Sequence, residues 1–361
     1  MTVLKAASFG PKSTHLPLLT EARGVAALLV VHVHLLVWHL PIIRGSWRCA
    51  TVIVSYGWLA VDFFFVLSGF VLAHVYAGQF SIWPDRVHLR SFFQARFARI
   101  YPLHLLASTG FFLLTAGFSG VWSWGPYLHD VFLVNALPKL WPLNIHSWSI
   151  GAEAVTYLFA PLMIAFAGRL SKTALFLGLG GSAASLAYLV IGRWGGHDYH
   201  SVFRCLPEFF AGVLLYQFYL RHPLRPAAAV IGVSAAIAAL FILVSGVLRP
   251  PLDSLACLVP IALLVLALPQ LPAPLIRKLA VPPLRFLGDI SYSVYLLHPL
   301  LLLFIPGWKE RLHHAGLADS GIEWIVYAAA FALLVAGSWL AYRWLELPCR
   351  TLLRPGGVRK N

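Results

Sequence analysis

Long runs of apolar residues, broken at short intervals by charged or Pro/Gly-rich punctuation, set the pattern of this chain. Runs near the roughly 20 residues that a helix needs to cross a bilayer recur along its whole length. No polar block between them is large enough for a soluble domain. The pattern predicts ten helices, at about residues 24–42, 53–77, 100–118, 148–167, 173–192, 203–220, 227–247, 254–270, 287–305 and 323–342. The expected fold is an all-α polytopic membrane protein of about ten transmembrane helices. It forms a single integral-membrane domain over 1–361, with no fused soluble domain. Patches such as LPQLPAP, residues 268–274, read as tight turns between helices. No internal repeat, coiled coil or low-complexity segment is apparent.

Composition agrees: 60% of the 361 residues are hydrophobic and 11% are charged, against about 25% charged in an ordinary soluble domain. The net charge of +14 does not point to nucleic acid, because the basic residues are spread over short loops between spans. With the N-terminus inside, the cytoplasmic segments hold 19 Lys and Arg and the outer segments 8, counting Arg204 at the outer end of the span 203–220 with them. The positive-inside rule then places both termini in the cytoplasm, as in a multi-pass protein of the plasma membrane. The first apolar run follows Lys5, Lys12 and Arg23. It is too long for a signal-peptide core and lacks a small-residue cleavage site, so it reads as a retained span. The four cysteines show neither CxxC nor Cys/His metal spacing, and no metal site is indicated. Cys49, Cys205 and Cys257 fall near the outer surface, where a disulfide is chemically permitted, although packing in apolar surroundings is the plainer reading.

Ionisable residues inside such spans cost about 2.5–3.5 kcal/mol each on insertion scales and usually face a protein interior. RGVAALLVVHVHLLVW, residues 23–38, carries three. Eleven residues make nearly three helical turns, so Arg23 and His34 share one face about 16 Å apart, with Ala27 and Val30 between them and His32 on the opposite side. A membrane anchor and a structural histidine would explain the pair equally well. In GWLAVDFFFVLSGFVLAHVY, residues 57–76, Asp62 shares its face with Gly69 and Ala73, which suits close helix packing. Its role can be structural or catalytic. Arg96 and Arg99 in RSFFQARFARIYPLHLL, residues 90–106, offer planar forks that match phosphate, although snorkelling anchors are the plainer reading of these residues alone. In HSWSIGAEAVTYLFAP, residues 146–161, Glu153 is expected near the depth of His34. An imidazole and a carboxylate together can move a proton off a hydroxyl. Glu153 could instead neutralise Arg204. Ser291, Tyr295 and His298 in FLGDISYSVYLLHPLL, residues 286–301, line one face and reach the same level.

Six blocks in order, namely Arg-x10-His, VDFFFVLSGFVL, RFARIYP, WSIGAEAVTYLFAP, GDISYSVYLLHP and ELPCR, resemble the acyltransferase 3 family of membrane acyltransferases over about residues 18–350. The resemblance implies transfer of an acyl group, usually acetyl, from cytoplasmic acyl-coenzyme A. The acceptor would be a hydroxyl of a glycan, lipid-linked sugar or secondary metabolite, commonly on the outer side. Acyl-CoA is then a donor substrate, and no permanently bound cofactor is implied. His34 would be the catalytic histidine, Arg23 its motif partner, and Arg96 with Arg99 the pair linked to coenzyme A. Glu153 or Asp62 would orient the ring or the acceptor, with Ser291, Tyr295 and His298 as supporting groups. Where many members carry two consecutive acids, this chain has Glu153 followed by Ala154. Proton-coupled export of a glycan or small molecule is the competing class, but it usually shows repeats and broken helices at matching positions.

Overall fold

The computed structural model describes residues 16–40, 42, 48–80, 84–191, 202–247 and 252–353. Among them the secondary structure is helical, with no strand. Helix α1 (Pro17–His32) starts on a proline and runs on as a π-helical turn, Val33–His39. A short α2 (Arg48–Ser55) leads into α3 (Ala60–Tyr76) and the 34-residue α4 (Arg86–Ser119). Asp85 caps the start of α4 by accepting from the His88 backbone N–H at 2.8 Å, and Gly120 ends it in the left-handed region at φ 71°. The short α5 (Trp124–Val131) precedes α6 (Trp148–Ala167), α7 (Lys172–Ile191) and α8 (Val202–Arg221). Then follow α9 (Pro226–Ile242), α10 (Leu252–Ala267) and α11 (Ala273–Leu279). The chain closes with α12 (Pro282–Leu302), α13 (Ile305–His314), α14 (Asp319–Ala341), a π-helical turn over Tyr342–Glu346 and α15 (Leu347–Leu352).

Each of the ten expected spans has a helix over it. Six described helices are by themselves long and apolar enough to cross a bilayer, and eight if each of two bent pairs forms one span. Helix α8, which carries Arg204, Glu208 and Arg221, is not among them. The chain is a multi-pass membrane protein. Its outward faces bear large apolar side chains such as Leu177, Tyr188, Val259 and Trp344, all more than 70% exposed, as a lipid-facing surface requires. Cys205 is buried inside the bundle and carries no disulfide, whereas the side chain of Cys49 lies outside the described residues.

Two helix pairs build the frame, and small residues explain both. Gly24 of α1 meets the backbone of Leu287 and Gly288 on α12, and a β-carbon at Gly24 would collide with it. Likewise Gly69 of α3 lies against the Phe209 carbonyl of α8, while Gly212 of α8 lies against Val66. With no hydrophobic drive between helices in lipid, such close backbone approach is what packs them. A core centred on Phe70, Phe209, Val213 and Ile164 binds α3, α6 and α8. A second, around Val31, Leu35, Ile290 and Val294, joins α1 to α12 and α14.

Candidate active site

The tight α1–α12 pair holds two polar stripes side by side. At one end Arg23 donates through Nη2 to the Gly288 carbonyl at 3.2 Å. Across a cavity of about 140 Å³ stand Arg96 and Arg99 of α4. Three turns of ring pack around Arg96: its guanidinium carbon is 5.7 Å from the Tyr76 ring centre, 6.0 Å from Phe92 and 5.9 Å from Tyr157. Arg99 lies 5.4 Å from the Tyr292 ring centre and 3.4 Å from the Glu346 carboxylate. Glu346 comes from the π-helical turn that follows α14 and also accepts from Ser293 and Arg350. The buried Nε atoms of Arg23 and Arg96 have no hydrogen-bond partner. The cavity is therefore a cationic chamber with donors to spare.

The other end is built around His34, which is 7% exposed and sits in the π-helical turn that prolongs α1. Its Nδ1–H donates to the Val30 carbonyl at 2.6 Å. A carbonyl only accepts, so the proton is fixed on Nδ1 and Nε2 is the basic atom. A cavity of about 80 Å³ beside it is also lined by Trp58, Asp62, His146, Trp148, Arg204 and Tyr295. His32 faces away, its Nε2 3.0 Å from the Tyr327 hydroxyl of α14. Asp62 is fully buried and binds Arg204 of α8 at 2.6 Å. Arg204 also reaches Glu208 at 3.4 Å and lies over the Trp58 ring at 5.8 Å.

Tyr295 and Val61 line both cavities. The Tyr295 hydroxyl donates to the His146 carbonyl at 3.1 Å and accepts from Ser149 at 2.7 Å, so it is tied in place as a wall between them. Its stripe behaves as the periodicity of α12 predicts. Ser291 faces the arginine chamber, while His298 packs against His34 with ring centres 5.0 Å apart.

The expected pairing of Glu153 with His34 does not occur. Glu153 accepts from Ser68 at 2.6 Å and from Tyr157 at 2.7 Å, and it faces the arginine chamber. The reason is axial position: Trp148 at the start of α6 reaches the His34 cavity, and five residues further on is about 7.5 Å deeper. Arg204 takes Asp62 instead. His146, which no pattern within a single span marks out, has its ring centre 4.2 Å from that of His34. Its turn, Ile145–Ser147, is held by Asp130, which accepts from Asn135 at 2.6 Å, Ser147 at 3.1 Å and the Asn144 backbone at 3.2 Å. Burial outweighs those bonds and raises the Asp130 carboxyl to about 6.

Residues 21–343 match the model of the acyltransferase 3 family, described as an acyltransferase domain. Among curated proteins the chain is 28% identical to acyltransferase MdmB of Streptomyces mycarofaciens, over 95% of this chain and 94% of that protein. It is 30% identical to the exopolysaccharide production protein ExoZ of Rhizobium meliloti (strain 1021), over 84% of this chain and 92% of that one. No solved structure matches at a significant level.

Proposed function

Since this chain belongs to the acyltransferase 3 family, we propose that it moves a short acyl group, acetyl, from cytoplasmic acyl-CoA to a hydroxyl of a glycan or related acceptor outside. The observation that carries this reading is the placement of a cationic chamber and a basic imidazole at the two ends of one helix, with Tyr295 between them. Phosphates of the donor meet Arg23, Arg96 and Arg99, whose charge-assisted bonds are roughly twice as strong as neutral ones. At about 140 Å³ the chamber is small beside the roughly 300–1,000 Å³ of a pocket for a whole drug-sized ligand. It suits the extended pantetheine arm, with the nucleotide at the mouth. The about 16 Å from Arg23 to His34 along α1 is of the length of that arm. The small cavity beside His34 supports a short acyl group.

In the reaction, His34 Nε2 takes the proton of the acceptor hydroxyl as its oxygen attacks the thioester carbonyl. The new C–O bond replaces the C–S bond, and the departing thiolate recovers the proton. Glu153 acts through Ser68 and Tyr157, which keep the ring wall of Arg96 in place, so it is a positioning residue. Asp62 holds Arg204 at the wall of the His34 cavity. The name of the exopolysaccharide relative supports a polysaccharide acceptor. The charge count of 19 against 8 supports both termini in the cytoplasm, for a protein of ten spans in the plasma membrane.

Mass spectrometry of cell-surface glycans from cells with and without the gene tests the reading. An acetyl-sized difference restored by the wild-type gene and not by His34→Ala is expected. Identical glycans, in cells where the protein is expressed and acetyl-CoA bound, would refute it.

A further inference from the structure

Three imidazoles converge at the basic end of the site. His34 comes from the turn after α1, His146 from the turn before α6 and His298 from α12, with ring centres 4.2, 5.0 and 5.2 Å apart. One ligating nitrogen from each lies within 4.8 Å of the others. The outer nitrogens are already committed. Nδ1–H of His34 donates to Val30 O at 2.6 Å, that of His298 to Tyr295 O at 2.6 Å, and that of His146 to the Asn144 side-chain oxygen at 3.3 Å. Each acceptor is an amide oxygen, so all three rings carry their proton on Nδ1 and present Nε2 as a lone pair. For His146 and His298 that Nε2 is buried without a hydrogen-bond partner.

A packing cluster or a hydrogen-bond relay would need at least one donor among these facing nitrogens, and the tautomers supply none. What satisfies the orphaned lone pairs of His146 and His298, turned toward a third imidazole, is a cation. A ligating histidine characteristically donates its other N–H to an oxygen, the arrangement found here three times over. Three imidazoles without a carboxylate select a zinc-class ion over magnesium or calcium, and leave a fourth position open. We propose that His34, His146 and His298 form a binding site for a divalent transition metal of the zinc class. Ligands at about 2.0–2.1 Å from zinc stand roughly 3.4 Å apart, a closure of at most about 1.4 Å from the 4.8 Å found here, shared among three side chains. A second consequence rests on the reading of His34 as the base. A bound ion occupies the lone pair that would receive the acceptor proton, so metal loading switches transfer off.

Cobalt titration of the full-length protein in nanodiscs, followed by visible absorption and metal analysis, tests the site without reference to activity. One cobalt per chain with tetrahedral-type absorption, displaced by zinc, is expected. His146→Gln and His298→Gln should each weaken binding at least tenfold, while His32→Gln should not, with thermal melting and coenzyme A binding as checks of folding. No cobalt signal, or equal binding in folded variants lacking either ligand, would overturn the site. The linked effect is read separately, by adding one equivalent of zinc and then a chelator to an acetyl-transfer assay. Reversible loss of transfer is expected. Stoichiometric zinc binding with transfer unchanged would leave the metal site standing and overturn His34 as the base.

Discussion

Asp62, Arg204 and Glu208 place two buried carboxyls on one guanidinium, and this arrangement makes the consequences of mutating them unequal. Asp62 and Glu208 are 0% and 1% exposed, and Arg204 touches both, at 2.6 and 3.4 Å. Arg204→Met strands both carboxyls without a counter-charge. Removing one partner of a buried pair costs about 3–5 kcal/mol, and here two acids lose the same partner. Asp62→Asn keeps the shape and an amide oxygen for Arg204, while Glu208 still supplies the opposite charge. The loss is then the difference between a hydrogen bond to a charged group and a neutral one, about 1 kcal/mol. Unfolding titrations in mixed micelles should separate the two variants by at least about 2 kcal/mol. Acetyl transfer by Asp62→Asn should stay within tenfold of wild type, because the carboxylate acts by holding Arg204. Equal destabilisation by the two substitutions would refute the charge argument. A well-folded Asp62→Asn protein with transfer reduced a hundredfold would show that Asp62 acts on the acceptor directly.

His34→Ala should lose at least the roughly 10²–10⁴-fold of general base catalysis with coenzyme A binding retained, whereas His32→Ala, facing Tyr327, should keep most of its transfer. Purified variants in nanodiscs decide this, and selective loss in His32→Ala would reverse the assignment of faces. Arg96→Gln together with Arg99→Gln should raise the KM for acyl-CoA at least tenfold with protein abundance maintained; an unchanged KM would reduce the pair to membrane anchors. A cysteine introduced at Ser123 should react with an impermeant thiol reagent from outside and one at Ser171 should not, in a background lacking reactive native cysteines; the opposite pattern would invert the direction of transfer. For Asp130 the folded pKa is raised from 3.8 to about 6, so its contribution to stability is fully present below pH 4 and is lost as pH rises through 6. Wild type minus Asp130→Asn stability should therefore fall by on the order of 2–3 kcal/mol from pH 4 to pH 7, and a flat difference would contradict the burial argument.

Helix periodicity made one axis of this protein legible and left the others dark. Arg23, His34 and His32 take their faces from 100° per residue, and the same arithmetic puts Ser291, Tyr295 and His298 on one stripe. Gly69 also announced a close contact, because small residues on an apolar helix mark where backbones meet, and α8 lies there. Neighbours across helices were another matter. A sequence gives depth in the membrane only as distance from a span end, and one turn of error moves a side chain by about 5.4 Å. An error of that size separates Glu153 from the level of His34, which Trp148 occupies. Glu346 and His146 lie within recognisable blocks, ELPCR and HSWSIGAE, yet nothing local shows that one will seat Arg99 and the other will face His34. The three-histidine cluster draws on segments more than a hundred residues apart, so no spacing rule could have revealed it.

Under the proposed reaction, the separation of the two cavities answers a chemical difficulty. A thioester held against a basic imidazole in contact with water is open to hydrolysis, which would waste the donor. Here the arginine chamber and the His34 cavity meet only at a wall of Val61 and Tyr295, and the Tyr295 hydroxyl is bonded on both sides, to Ser149 and to the His146 carbonyl. The thioester can be seated by its phosphates before it reaches the base. Arg23 and His34 share a helix locked to α12 at Gly24, so the span between phosphate site and base does not vary while this happens. What must move is one tyrosine and the residues that hold it, two of which, Ser149 and His146, begin α6 and the turn before it.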